Sequence, residues 1–507
     1  MNRRKFLGLV GGATAGLGLL GLRRSRAESF GAFPSGTDAV QLPPASRAKK
    51  VLEIFLYGGL SPWETLYFVR NYGQPTDPTH PNSQYYAFSS SNAQAMGSCG
   101  VADAPRVFGT DSKQATVELG PFAALLWNRP DIVARMRLVV QKHNLEPHEA
   151  AVPMALTGRP VGQPNAAGLG AHVQRARIVA GATPDRASPH SYVFATGGIS
   201  SDNISAAAAA GAHPGSARPL LIKTDNAQSF TTLLSRNTVG GERAHHDALV
   251  GAYQSQYDAR LTWPDQTRVR SARTDDAAVA YTTTTKVDAI HNVLADDLFT
   301  IQSGTSCGTT RADIPLIGIS AAAHLLTHPT EPASYVCVSD VGIREASGGG
   351  GYDTHTKNSA DTAMNFNNML QALLGIIAQP GDTTPGKISL DDTLIILNTE
   401  FGRTPTPQMD DRGNPTSGRN HHPYGYVTAF IGGPITSAHK GISGAIGPDG
   451  MGGADSASPA ENRIAALLAL GIWPFSQEAF AVSDVAGATG ELDAAQKAMT
   501  KFLGRTA

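Results

Sequence analysis

Short apolar runs rich in β-branched residues recur along the chain, each closing on glycine or on a polar loop. Val51–Tyr57, Arg137–Val140, Tyr192–Ala195, Tyr335–Ser339, Thr393–Leu397 and Val427–Ile431 have the length and composition of buried strands. Between them the apolar spacing changes to three and four residues. The clearest such stripe joins Phe366, Met369, Leu370, Leu373, Leu374 and Ile377 and stops at Pro380-Gly381, which predicts a helix packed on a sheet. Another predicted helix takes Ser458 as its N-cap, Pro459 as its first residue and Gly471 as its stop. Shorter helices are expected at Phe122–Trp127, Ala150–Leu156, Leu169–Ala180 and Arg243–Tyr257. Strands alternating with helices predict an α/β fold, a large mainly parallel sheet with helices on both faces.

Three stretches depart from that alternation. Residues 199–330 carry an Ala/Ser/Gly tract and scattered charge, and are expected to form a mostly helical insertion or cap. Residues 71–118 are rich in Asn, Ser, Pro and Gly, an excursion from the sheet. At the N-terminus, Asn2-Arg3-Arg4-Lys5-Phe6-Leu7 resembles the twin-arginine export signal. A Gly/Leu/Ala run from Gly8 to Leu22 follows, too short and too glycine-rich for a comfortable membrane span. Removal after Ala27 is expected, then a polar leader over residues 28–50 and the α/β domain over 51–507. This predicts the twin-arginine translocase as a partner during export, and a periplasmic or secreted location.

Composition narrows the partners. The 507-residue chain has a formal net charge of −1, which gives no general attraction to nucleic acid or to an anionic membrane. Of its 3 cysteines, Cys99 and Cys307 sit in Gly/Ser-rich loops and could pair in an oxidising compartment. Cys337 lies inside an apolar strand and reads as a small core residue.

The candidate chemistry gathers just past predicted strand ends: Glu64; His148 and Glu149; Asp353 and His355; Glu400 and Arg403; His421 and His422. Ligands of open α/β sheets bind beyond the carboxyl ends of strands. Carboxylates and imidazoles collected there have the composition of a site for one or two divalent ions such as zinc, manganese, calcium or iron. His148 and Glu149 would open a helix, where the backbone dipole favours an anion. Ser61, beside Pro62, reads as a turn former rather than a nucleophile. His143 either lines the site or caps its strand, and His422 reads as a surface neighbour of His421.

Several motifs together resemble the DUF1501 family, exported proteins related in fold to the alkaline phosphatase/sulfatase superfamily. They are GG-x-S-x-x-E (Gly58 to Glu64), HEAAVPMALTG (His148 to Gly158), YDTH (Tyr352 to His355), TEFGRTP (Thr399 to Pro405), GRNHH (Gly418 to His422) and KGISGAIGPDG (Lys440 to Gly450). The resemblance implies an alkaline phosphatase-like sandwich and hydrolysis of a small phosphate or sulfate ester at one or two metals. It places Asp353, His355 and His421 on one ion and Glu400, with Glu64 or His148, on a second. Arg403 is then expected to neutralise the anionic substrate. One departure stands out. The superfamily nucleophile, a hydroxyl or modified cysteine, begins the helix that ends in Thr-Gly, and here that position is His148. It is expected to accept the transferred group itself, to ligate metal, or to leave attack to metal-activated water. A metal-dependent hydrolase, a non-catalytic scaffold and a hydrolase of another bond, such as a carboxyl ester or amide, all remain open on the sequence.

Overall fold

In a computed structural model, residues 30–70, 72, 106–162, 167–180, 192–196, 219–223, 240–261, 314–342 and 351–505 are described. Twelve strands occur among them: β1 Lys50–Leu56, β2 Arg106–Thr110, β3 Thr116–Leu119, β4 Met136–Gln141, β5 Tyr192–Thr196, β6 Leu220–Lys223, β7 Tyr335–Asp340, β8 Thr393–Asn398, β9 Gly402–Arg403, β10 His421–His422, β11 Tyr426–Gly432 and β12 Gly441–Ser443. Eight of these form one sheet in the order β12-β4-β11-β8-β1-β7-β5-β6. All run the same way except β11, which is antiparallel to both β4 and β8. The apolar run at Val427–Ile431 could not reveal that reversal, because a strand buried on both faces reads alike in either direction.

The central strand β1 decides how the two faces are covered. Leu52, Ile54 and Leu56 face one core with Phe366, Met369 and Leu373, while Val51 and Phe55 face the other with Val152, Ile464 and Phe502. The first core is roofed by α5 (Ile314–Leu326) and α6 (Asn358–Ile376), the second by α2 (His148–Thr157), α3 (Leu169–Val179), α7 (Pro459–Ala469) and α8 (Glu491–Leu503). The remaining α-helices are the short α1 (Pro130–Val133) and the longer α4 (Gly240–Leu261), and the helix expected at Phe122–Trp127 is a 3-10 helix over Pro121–Asn128. Ser458 caps α7 reciprocally with Glu461, and Pro459 occupies its first turn. Glu53 is the one charged side chain on the β1 face under α7. It is buried against Arg463 (2.8 Å) and Asn398 (2.9 Å) and accepts the Tyr335 hydroxyl.

Of the stretch expected to form an insertion over 199–330, the described residues include β6, which pairs with β5 as an edge of the main sheet, and α5, which packs on β7. The leader is likewise folded onto the second core, with Val40 and Leu42 buried and Phe33 against Trp473. Residues 106–119 form the antiparallel hairpin β2–β3. The amphipathic α8 was not expected; it ends at Gly504, whose φ of +65° stops it. The export signal and the Cys99–Cys307 pair lie outside the described residues. Cys337 is buried and free. Among the described residues no helix is long and apolar enough to cross a membrane.

Candidate metal centre

The site stands at the carboxyl edge of the parallel strands. β1 ends at Tyr57-Gly58-Gly59, where Gly58 (φ +111°) passes so close to Asp353 that a Cβ would overlap its backbone nitrogen. The Tyr352 N–H donates to the Tyr57 carbonyl (2.8 Å), and the Tyr352 hydroxyl to Asp340 at the end of β7 (2.8 Å). These bonds fix Asp353 beside the β1 turn. β8 delivers Glu400 and Phe401, and β9 then pairs with β10 so that Arg403 lies opposite His421. His148 is the first residue of α2, behind Pro147. His421 precedes the reversed β11, which is why its end of that strand reaches the same edge.

Asp353 is the hub. Its Oδ1 lies 3.4 Å from His148 Nε2, 3.2 Å from His355 Nε2 and 3.4 Å from His421 Nε2, and it accepts from Arg403 Nη2. His355 Nε2 and His421 Nε2 are 3.1 Å apart. Bonds of about 2.0–2.1 Å to a tetrahedral zinc place neighbouring donor atoms about 3.3 Å apart. The spacings match that edge length. His148, Asp353 and His421 offer donor atoms within 4.8 Å of one another. His148 Nε2 is moreover buried without a hydrogen-bond partner, as a nitrogen reserved for a cation would be. The residues therefore fit a bound divalent ion.

Electrostatics follow the same geometry. Burial pushes the Asp353 carboxyl up, but the three imidazoles gathered on it and the Arg403 charge outweigh it and hold it far below the usual carboxylate range. Burial opposes a charge on His148; Asp353 and Glu400 overcome it and raise its pKa to about 9. His421 is lowered, chiefly by burial, with Arg403 and His148 adding to it against Asp353.

The other expected site residues have different places. Glu64 is not at the centre: it is buried in an ion pair with Arg419 (2.8 Å) and accepts the Ser61 hydroxyl, so both oxygens are occupied. Ser61 is buried and keeps to its turn. Glu400 touches His148 Nδ1 (2.9 Å) rather than the converging donor atoms. Arg403 is fully buried, and its guanidinium donates to Asp353, to the Gly58 and Gly59 carbonyls and to the Arg419 carbonyl. It has no face left for a substrate anion. His422 is not a surface residue but is buried against the Gly450 carbonyl (2.8 Å). His143 accepts the Leu145 N–H at Nδ1 (3.0 Å), so its Nε2–H donates to the Glu400 carbonyl (2.6 Å) and braces the β8 end. Asp410 organises the exposed hairpin tip by accepting the Arg412 and Asn414 N–H groups.

Three contributors were missed. Tyr57 stacks on His148 (5.2 Å between centroids), Phe401 packs on both His148 (5.1 Å) and His421 (4.5 Å), and Gln408 Oε1 holds His355 Nδ1 (3.1 Å). Tyr57 adjoins the Gly58 to Glu64 motif and Phe401 lies within the Thr399 to Pro405 motif, so their position was a usable signal; Gln408, on a long loop, gave none.

The profile of a family described as "Protein of unknown function (DUF1501)" matches residues 48–458. Neither the curated proteins nor the solved structures include a match to the chain.

Proposed function

The chain belongs to the DUF1501 family, and on that footing we propose that it is an exported, metal-dependent hydrolase of phosphate or sulfate esters, akin in fold to the alkaline phosphatase/sulfatase superfamily. The observation that carries this reading is the convergence of three imidazole Nε2 atoms on one Asp353 oxygen at donor-atom spacing. A divalent cation bound there supplies Lewis-acid polarisation of an ester oxygen and acidifies water. His148, Asp353 and His421 would hold it, with His355 beside them. A donor set dominated by imidazole suits zinc, manganese or iron better than calcium, which takes six to eight oxygens.

The remaining side chains act through these. Arg403 keeps Asp353 ionised and fixed, a task distinct from the substrate contact its type suggested. His148 is held at Nδ1 by Glu400 and faces Asp353 with Nε2, which makes it a ligand rather than a nucleophile. Ser61 is committed to Glu64. No side chain gathered at this centre among the described residues is placed to take the ester group covalently, so water is the acceptor. The twin-arginine motif at Asn2–Leu7 supports export to the periplasm or beyond.

One observation favours a second reading, a non-catalytic exported scaffold. Among the described residues, the one arginine at the centre is consumed by protein groups, and none of them offers a free guanidinium there to the anionic part of a substrate. Metal analysis followed by a panel of aryl phosphates and aryl sulfates separates the two. The hydrolase reading expects turnover that chelation abolishes and added zinc, manganese or iron restores. Metal-loaded protein inert toward both ester classes supports the scaffold.

A further inference from the structure

We infer that Glu400 is a positioning residue for a single cation and not a ligand of a second one. This rests on the metal centre proposed above. The carboxylate is fully buried at the end of β8. Its Oε1 accepts the Gly58 N–H (2.7 Å) and lies 2.9 Å from His148 Nδ1, and its Oε2 lies 3.3 Å from the Thr399 hydroxyl. Oε1 is already the acceptor of the Gly58 N–H, so the proton it shares with His148 sits on Nδ1. That leaves Nε2, the unpartnered nitrogen, as the atom offered to a cation.

The carboxylate itself is immobilised. Gly58 belongs to the positive-φ turn locked against Asp353, and His143 holds the Glu400 carbonyl. With Tyr57 and Phe401 packed on the His148 ring, both its tilt and its tautomer are set before any ion arrives. Ligating histidines ordinarily have such a partner on the far nitrogen, and losing it typically costs about 10–100-fold in metal affinity. The other carboxylate that a second ion would need, Glu64, is neutralised by Arg419. The two-ion arrangement suggested by the motifs therefore has neither of its acids free.

The test is titration of the chelator-stripped full protein with Co²⁺, read by stoichiometry, affinity and the visible spectrum. Wild type is expected to bind one Co²⁺ per chain. Glu400→Gln is expected to bind the same number, with an unchanged ligand-field spectrum and an affinity about 10–100-fold weaker. Wild-type affinity in that variant overturns the positioning role. Two ions in wild type falling to one in Glu400→Gln, or a spectrum reporting a lost ligand, overturns it in favour of direct ligation. Wild type that takes up no Co²⁺ overturns the metal centre itself. If Glu400→Gln does not fold, Glu400→Asp gives the same comparison, since it keeps the charge but draws the carboxylate back from Nδ1.

Discussion

Gly418 lies directly on the backbone of His355: a Cβ at Gly418 would overlap the His355 carbonyl oxygen and carbon. The contact clips the hairpin that carries His421 to the loop that carries Asp353 and His355. The adjacent Arg419 N–H donates to the Thr354 carbonyl (3.0 Å), and the Asn358 N–H to the Ser417 carbonyl (2.9 Å). Gly418→Ala should force these segments apart. Overpacking of this kind costs about 1–3 kcal/mol, and with backbone on both sides the upper end is expected. Urea denaturation measures it, and metal affinity should fall in parallel. An alanine variant with wild-type stability and affinity contradicts the described contact.

The donors should not be equivalent. The His355 side chain is 41% exposed, against 15% for His148 and 20% for His421. His421→Ala and His148→Ala are expected to abolish stoichiometric zinc binding, while His355→Ala weakens it and leaves it measurable. Elemental analysis after dialysis against a mild chelator reads both. Retention of metal by His421→Ala would remove that residue from the centre.

Beneath the site, the Glu53–Arg463 pair is wholly enclosed, with Tyr335 and Asn398 completing the carboxylate's bonds. Removing one partner strands a buried charge, at a cost of about 3–5 kcal/mol. Arg463→Met alone should therefore destabilise strongly. The double variant Glu53→Met/Arg463→Met should recover much of the loss. Equal denaturation midpoints for the single and double variants would show that the pair is not coupled.

His143 supplies a pH dependence of definite sign. Burial lowers its pKa, and the bond to the Glu400 carbonyl only partly opposes this. The folded protein thus holds it neutral at pH values where the unfolded chain protonates. Its contribution is present above the ordinary value near 6.5 and is lost as pH falls below that. Wild type should lose stability on acidification from about pH 7 to about pH 5 more steeply than His143→Gln. Parallel slopes for the two proteins would refute the assignment.

Much of this was legible beforehand, for identifiable reasons. Buried parallel strands announce themselves as unbroken apolar runs, and the residues after them must lie at one edge. That logic is enough to bring His148, Asp353 and His355 together; His421 joins them from the other direction, because it precedes the reversed β11. What a sequence withholds is which polar groups consume one another. Glu64 and Glu400 are the same residue type after strands of the same sheet; one is neutralised by Arg419, the other serves His148. Arg403 looked like a substrate anchor because nothing local betrays that its partners are the Gly58 carbonyl and Asp353. The antiparallel β11 and the short β6 depend on pairing, not on composition. The last helix is different. Ala494, Ala495, Ala498, Met499, Phe502 and Leu503 repeat at helical spacing ahead of Gly504, so its signal was present and overlooked.

The strand order β4-β11-β8-β1-β7 sets side by side segments drawn from opposite ends of the chain. Closing such loops is entropically costly and slow, and the parallel pairings reward the chain only late. No fragment made early in synthesis holds more than one of His148, Asp353 and His421. If the proposed centre binds a cation, capture would then certify finished folding: a chain stalled partway offers isolated imidazoles, and only the completed sheet would retain an ion through dialysis.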